Sequence, residues 1–531
     1  MICWQMKSDR LMRIKKDPEK AGFFLLMACL AGYYLYRMFA LTPWYDELYT
    51  YYYFISRGPV YAAIHWPLPN NHVGYSVLSG FLDYLGNPYI GLRGVSFLCA
   101  LANPVLLFGI GRRYLRRGLS LTAVMLYLSM NLVNQLAVQG RGYTLGITCF
   151  LAAVLCLSRI CGRQMDRRID YIIFSLCLVL GLYTLTSDVY WVLAVCFAGG
   201  VFLLYRGIAQ AEEEKKKLYR CGFIRRLRKL VAASLAAAFL TLALYGVLWL
   251  AIGSNLLVKE EGGRFFGMGH VEVILKAPVS AVSTGISYML ATPYIQSVER
   301  RGFMKRFGEW LLSLFNWYYD GFSLIIAALF ILGAAFLLVR IIKGMREREE
   351  DTLFLPLFLL FEIVATPVFL ILQCALPYYR VFSYGGAVLA LLCVFLLQQS
   401  GKRAVIISGL VISVQIAFFS FGFKGYQNQY SMREYEIQDA LTESGIDEEM
   451  TLCVTDCTQQ YLIRFLFGIT CENTQIEGAD LVLLDKRMTD PDFDEMVWEF
   501  YHYYDTIPWD YMEEAMEPVY ENKSFVLYKK R

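Results

Sequence analysis

Charge is scarce in this sequence: 18% of its 531 residues are Asp, Glu, Lys or Arg, against about 25% in soluble domains. Hydrophobic residues supply 57% and aromatic residues 16%, so the chain reads as a polytopic membrane protein. A formal charge of only +4 gives no reason to expect nucleic acid as a partner. No C-x-x-C motif occurs among the 14 cysteines. Most of them lie in apolar runs, as Cys149, Cys156 and Cys177 do, where a thiol behaves as a small hydrophobe. Internal repeats and low-complexity tracts are absent as well. The basic segment from Lys7 to Lys20 precedes an apolar run too long for a signal-peptide core and without a small-residue cleavage pattern, which predicts a retained anchor and a cytoplasmic N-terminus.

What is present is a succession of apolar runs long enough to cross a bilayer. We expect about eleven transmembrane helices, over 21–41, 89–110, 119–138, 143–157, 171–185, 189–205, 230–252, 322–339, 353–372, 381–397 and 404–421. Basic clusters at Arg112 to Arg117, Arg159 to Arg168, Arg206 to Lys229, Lys343 to Arg348 and Lys402–Arg403 mark the cytoplasmic turns. The first outer loop is then large and aromatic, with short helices in the interface, and the run 73–85 is too short to span. The tyrosines from Tyr49 to Tyr53 read as an interfacial belt ahead of a sugar-stacking platform. A second outer segment, 254–320, carries the Gly-rich stretches that hold Arg264 and His270. An odd count puts the tail outside, where composition turns acidic and ordinary. Strands near 451–455, 481–485 and 524–528, with helical patterns at 459–467 and 492–503, predict a small α/β domain. The division is therefore residues 1–423 in the membrane and 424–531 as an extracytoplasmic domain. Cys453, Cys457 and Cys471 lie in that domain, and their spacing settles no disulfide pairing.

The chain is organised around Leu41-Thr42-Pro43-Trp44-Tyr45-Asp46-Glu47, where a proline and two acids end the first long apolar run. A carboxylate beside hydrocarbon can serve as a general base or pair with a cation. The same outer face receives His72, Arg93, Arg141, Asp188, Arg264, His270 and Arg380. A cation close to hydrocarbon costs about 2.5–3.5 kcal/mol at mid-span unless it is paired, so Arg141 and Arg380 are expected to meet carboxylates or an anionic ligand. For Glu47, His72 and Arg93, structural and functional readings both stand. His270 is open between a structural role and a metal-ligand role.

In their order along the chain these features resemble the large-loop GT-C glycosyltransferases, the group of the protein O-mannosyltransferases (glycosyltransferase family 39) and the lipid A aminoarabinose transferases. Trp44-Tyr45-Asp46-Glu47 resembles that group's Asp-Glu pair at the start of the first outer loop. Asn71-His72-Val73-Gly74-Tyr75 is similar to its His-Pro-Pro-hydrophobic-Tyr segment, without the proline pair. Leu92-Arg93-Gly94-Val95-Ser96 and Gly111-Arg112-Arg113 resemble the motifs that bracket its second span. Gln139-Gly140-Arg141-Gly142-Tyr143-Thr144-Leu145 resembles the entry to its fourth, and Pro377-Tyr378-Tyr379-Arg380 a late turn in which Arg and Tyr are exchanged in order.

The resemblance implies an all-α GT-C-like membrane fold and transfer of a sugar from a polyprenyl-phosphate carrier to an acceptor on the outer face. It places the catalytic base at Asp46, with Glu47 beside it, and draws His72, Arg93, Arg141, Tyr143, Arg264, His270 and Arg380 into substrate binding. The acceptor stays open between a protein, a wall polymer and a glycolipid. No cofactor is firmly assigned, and a divalent metal remains an option. The rival class is a secondary transporter or lipid flippase, which would bind near the midplane on broken helices and often in repeated halves.

Overall fold

The computed structural model describes residues 17–65, 71–162, 166–215, 217–252, 267–269, 271–272, 275–276, 279, 302–349, 352–374, 376–422, 433–443, 445, 450–471, 475–493 and 502–531. Seven of its helices are long and apolar enough to cross a membrane, which makes this a multi-pass membrane protein. They are α1 (Pro18–Ala40), α5 (Pro88–Tyr114), α8 (Tyr143–Cys161), α10 (Val189–Glu213, entered through a 3₁₀ turn), α11 (Gly222–Ile252), α13 (Ser323–Arg346) and α14 (Phe354–Gln373). Between them lie α2 (Tyr45–Tyr53), α3 (Pro59–Ile64), α4 (Val73–Asp83), α6 (Ser120–Leu128), α7 (Asn131–Leu136), α9 (Arg168–Thr184) and α12 (Phe303–Tyr318). Then follow α15 (Gly385–Leu397) and α16 (Arg403–Gly422).

The expected count of eleven is not reproduced by these seven, and the reasons are local. The run 119–138 is not one helix but two, α6 and α7, parted where Met130 turns extended (φ −71°, ψ 133°). Just before that break the Ser129 hydroxyl donates back to the Met125 carbonyl at 2.8 Å, an alternative to the helical ladder that apolarity alone does not announce. Helix α9 has 17 residues. Helix α15 has 13, about 20 Å at 1.5 Å per residue, because the chain ahead of it forms a 3₁₀ turn over Tyr379–Phe382.

The bundle is fastened at both ends by buried charge. At the end where α1 begins, Glu19 accepts from the N–H groups of Gly118, Ser120 and Leu121 at 2.9, 2.7 and 3.2 Å and pairs with Arg112 at 2.6 Å. One carboxylate thereby satisfies the open N-terminus of α6. Near the other end Arg37, 1% exposed, donates to the Asn134 carbonyl at 2.7 Å and so ties α1 to α7.

The tail holds α17 (Glu434–Glu443), β1 (Leu452–Val454), α18 (Cys457–Phe467), β2 (Leu481–Asp485), α19 (Trp509–Ala515), β3 (Met516–Glu521) and β4 (Phe525–Lys530). Its sheet runs β1-β2-β4-β3, with β1 and β2 parallel and the other pairs antiparallel. Every residue of β2 is buried. Leu481 and Leu483 face one apolar cluster and Val482 and Leu484 the other, as the two-residue period of a strand requires. Strand β3 is an addition to the three expected, while most of the helical pattern at 492–503 lies outside the described residues.

Candidate active site

The break after α1 places the two acids differently although they are neighbours. Trp44 is extended and Tyr45 opens α2, so Asp46 and Glu47 occupy its first turn, where negative charge is favoured. Glu47 turns inward. Its carboxylate accepts from Arg93 Nε and Nη2 at 2.8 and 2.9 Å, from the Gly140 N–H at 2.6 Å and from the Trp44 N–H at 3.2 Å. Arg93 in turn donates to the carbonyls of Met38 and Leu41 at 3.1 and 2.6 Å. The two side chains are 3% and 2% exposed. This staple joins α1, α2, α5 and the turn before α8, and it requires glycine at 140, where an added Cβ would come 3.0 Å from the Leu92 carbonyl oxygen.

Asp46 turns the other way. Its Oδ2 lies 3.2 Å from Arg380 Nη1, with the side chains 18% and 24% exposed. The Arg380 guanidinium sits over the rings of Trp44, Tyr378 and Tyr143 at 5.2, 5.2 and 5.6 Å. The result is an accessible ion pair in an aromatic rim.

Behind it Arg141, 3% exposed, donates to Thr50 Oγ1 at 2.6 Å and approaches the Asp46 carbonyl at 3.4 Å, holding α2 to the entry of α8. Its Nη2 lies 3.2 Å from His72 Nε2, and His72 Nδ1 accepts the Gly142 N–H at 2.8 Å. A backbone amide cannot give up its proton, so the neutral imidazole carries its hydrogen on Nε2, and two donors meet there. Burial, with Arg141 and Arg380 nearby, holds His72 well below the usual histidine range.

The sign of the resulting pH dependence follows from linkage. An unfolded imidazole takes up a proton near pH 6.5, the folded one refuses it, and stability is lost as pH falls below that value. The slope is about 1.4 kcal/mol per pH unit for one such group. The melting temperature should drop between pH 7 and 5.5, and the drop should be smaller in His72→Asn, whose amide oxygen still accepts from Gly142. An unchanged slope in that variant would assign the acid sensitivity to other groups.

Seven of the ten residues singled out from the sequence, Asp46, Glu47, His72, Arg93, Arg141, Tyr143 and Arg380, therefore meet around the start of α2. Arg264 and His270 lie outside the described residues. Asp188 is buried at the start of α10 against Gly146 and Gly181, away from this cluster's hydrogen bonds. Among the described residues no three His, Cys, Asp or Glu side chains gather as a metal-binding set. Thr50 and Tyr378 were not foreseen, since a lone threonine in an aromatic stretch and a second tyrosine in a turn carry no pattern.

The tyrosines of α2 form a seam with the tail instead of a membrane belt. Tyr461 of α18 packs its ring 5.7 Å from that of Tyr52 and 6.1 Å from those of Tyr45 and Tyr53. Arg464 lies 4.5 Å over Tyr52, and Phe465 meets Tyr51 and Tyr89 at 5.6 and 5.0 Å. Leu48, fully buried, belongs to the tail's own apolar cluster with Leu462, Leu481 and Leu527.

Residues 73–225 match the family described as dolichyl-phosphate-mannose-protein mannosyltransferase, so this part of the chain carries the signature of a glycosyltransferase family. No curated protein sequence matches the chain significantly. Among solved structures it is similar to the archaeal oligosaccharyltransferase AglB from Archaeoglobus fulgidus, in complex with an inhibitory peptide and a dolichol-phosphate, at 10% identity and a TM-score of 0.47. That likeness covers 85% of this chain and 64% of AglB. It is also similar to ArnT from Cupriavidus metallidurans bound to undecaprenyl phosphate, at 11% identity and a TM-score of 0.34, over 96% of this chain and 98% of that one.

Proposed function

We propose that the protein is a membrane glycosyltransferase that moves a sugar from a polyprenyl-phosphate carrier to an acceptor hydroxyl on the extracytoplasmic face, with Asp46 as general base. The observation that carries this reading is the accessible Asp46–Arg380 pair, set in a rim of Trp44, Tyr143 and Tyr378 at the end of α1. It is supported by the family match over residues 73–225.

In the reaction the acceptor O–H gives its proton to the Asp46 carboxylate as its oxygen forms a bond to the anomeric carbon. The bond from that carbon to the phosphate oxygen breaks, and polyprenyl phosphate leaves with the electron pair. Arg380 stabilises the charge growing on the leaving phosphate. A single displacement of this kind inverts the anomeric carbon. Arg141 and the Glu47–Arg93 staple act as positioning groups through α2. The membrane unit of residues 1–423 holds this chemistry, and residues 424–531 form the extracytoplasmic domain.

The direct test supplies purified protein with polyprenyl-phosphate mannose and polyprenyl-phosphate glucose, each with peptide and glycolipid acceptors, and measures released polyprenyl phosphate. Release that depends on acceptor and on Asp46 is expected. Its absence across that panel would overturn the reading.

The orientation is a separate expectation, resting on basic residues gathered at the turns opposite Asp46. Alkaline phosphatase fused after Arg531 should be active and a fluorescent protein fused before Met1 should be bright. The reverse pattern would move the reaction to the cytoplasmic face.

A further inference from the structure

Beside the Arg380 turn lies an open cavity of about 420 Å³ lined by Leu312, Ser313, Asn316, Trp317, Ser323 and Tyr379. We propose that it is a saccharide-binding subsite, and the proposal rests on the glycosyltransferase reading for its place in the reaction. Its floor is built by the amphipathic α12. That helix buries Phe303, Phe307, Trp310 and Leu314 along one stripe and turns Ser313, Asn316 and Trp317 of the neighbouring face toward the cavity. The rings of Trp317 and Tyr379 stand 6.1 Å apart at 35° and are both partly exposed. Open aromatic faces of this kind match the C–H face of a pyranose.

Small neutral polar groups supply the rest. The Asn316 amide donates to Asp320 Oδ1 at 2.9 Å and accepts the Gly321 N–H at 2.8 Å. Its plane is thereby fixed, with one N–H and one lone pair still to offer. Ser313 and Ser323 add two hydroxyls. None of the six lining side chains is charged, which argues against a phosphate and for a neutral ligand with an apolar face and a hydroxylated edge. The volume suits one or two sugar rings and falls within the range of small-molecule sites, about 300–1,000 Å³.

The cavity is tied rigidly to the reacting groups. Trp310 Nε1 donates to the Pro377 carbonyl at 2.9 Å, and the Tyr318 hydroxyl donates to the Phe382 carbonyl at 2.6 Å. Helix α12 thus holds both ends of the turn on which Tyr379 faces the cavity and Arg380 faces Asp46. A sugar stacked on Trp317 and Tyr379 lies one residue along the chain from the guanidinium that meets the carboxylate. Its source is either the donor's sugar or the glycan of an acceptor.

The test uses full-length protein in lipid nanodiscs, since glycoside detergents would carry competing headgroups. Saturation-transfer NMR is run with methyl α-mannoside, methyl α-glucoside and methyl β-galactoside on wild type, Trp317→Ala, Trp317→Phe and Ser313→Leu. Melting temperatures establish that each is folded. In parallel, KM and kcat are measured for polyprenyl-phosphate mannose and for a glycolipid acceptor. We expect at least one glycoside to give a signal that Trp317→Ala and Ser313→Leu lose and Trp317→Phe largely keeps. We also expect a rise of about three- to tenfold in one KM in Trp317→Ala with kcat nearly unchanged. A rise confined to the donor assigns its sugar to the cavity, and one confined to the acceptor assigns the acceptor glycan. Either the glycoside signal or the selective KM change sustains the subsite, and the absence of both in folded variants overturns it. If wild type turns over no lipid-linked sugar, the proposed function fails while the glycoside signals still decide the subsite.

Discussion

Asp46→Asn should lower glycosyl transfer by about 10²–10⁴ while the protein stays folded. The substitution keeps the shape of the side chain and an oxygen at the position of the carboxylate, but an amide takes no proton at neutral pH, so the loss falls on the transition state. Structure should suffer little. The pair with Arg380 is partly exposed, at 18% and 24%, and ion pairs open to solvent contribute about 0–1 kcal/mol. Donor affinity should be kept, because Arg380 remains in place over its three rings. The measurement is turnover and lipid-donor affinity in the same nanodisc preparation. Near-wild-type turnover in folded Asp46→Asn would remove the base from the mechanism.

The second large effect concerns the neighbouring acid and has the opposite character. Glu47→Ala leaves Arg93, 2% exposed, with its charge uncompensated and strips the Gly140 and Trp44 N–H groups of their acceptor. Removing one partner of a buried pair costs about 3–5 kcal/mol, enough to lower the melting temperature of a chain of 531 residues by roughly 3–5 °C or to prevent recovery of folded protein. Thermal melting of wild type, Glu47→Gln and Glu47→Ala checks it, with the amide variant falling between. A Glu47→Ala protein that melts like wild type yet transfers no sugar would make Glu47 a participant in the chemistry and not a support for it.

Why the partners of the two acids are not legible in the sequence is a matter of range. That the apolar run stops at Pro43 and that charge follows is a local fact, legible in seven residues. That Glu47 meets Arg93, 46 positions away, while Asp46 meets a turn beyond residue 376, depends on helix packing to which local sequence is silent. The resemblance to GT-C enzymes named Asp46 as the base and gave no partner for either acid.

The tail shows the same division. Strand β2 was legible because burial on both faces makes it an unbroken apolar run. Strand β3 was not, since it lies at the sheet edge, carries Pro518 and is irregular between Pro518 and Tyr520, all features that blur a strand's signature. The tyrosines of α2 were misread for a related reason: an aromatic cluster near a membrane looks alike whether it meets headgroups or, as here, Tyr461 and Phe465.

Leu48 also has a meaning in time. It sits two residues after Asp46, yet the cluster that buries it is built from Leu462, Leu481 and Leu527. During synthesis at about 5–20 residues per second, α2 must wait some tens of seconds for these partners, with an apolar side chain and a row of tyrosines uncovered. Helix α2 is therefore among the last parts of the molecule to acquire its final surroundings, although it is among the first to be made. A chain that stalls or is cleaved before the tail is complete would leave Leu48 and the tyrosines of α2 without the residues that cover them in the finished molecule.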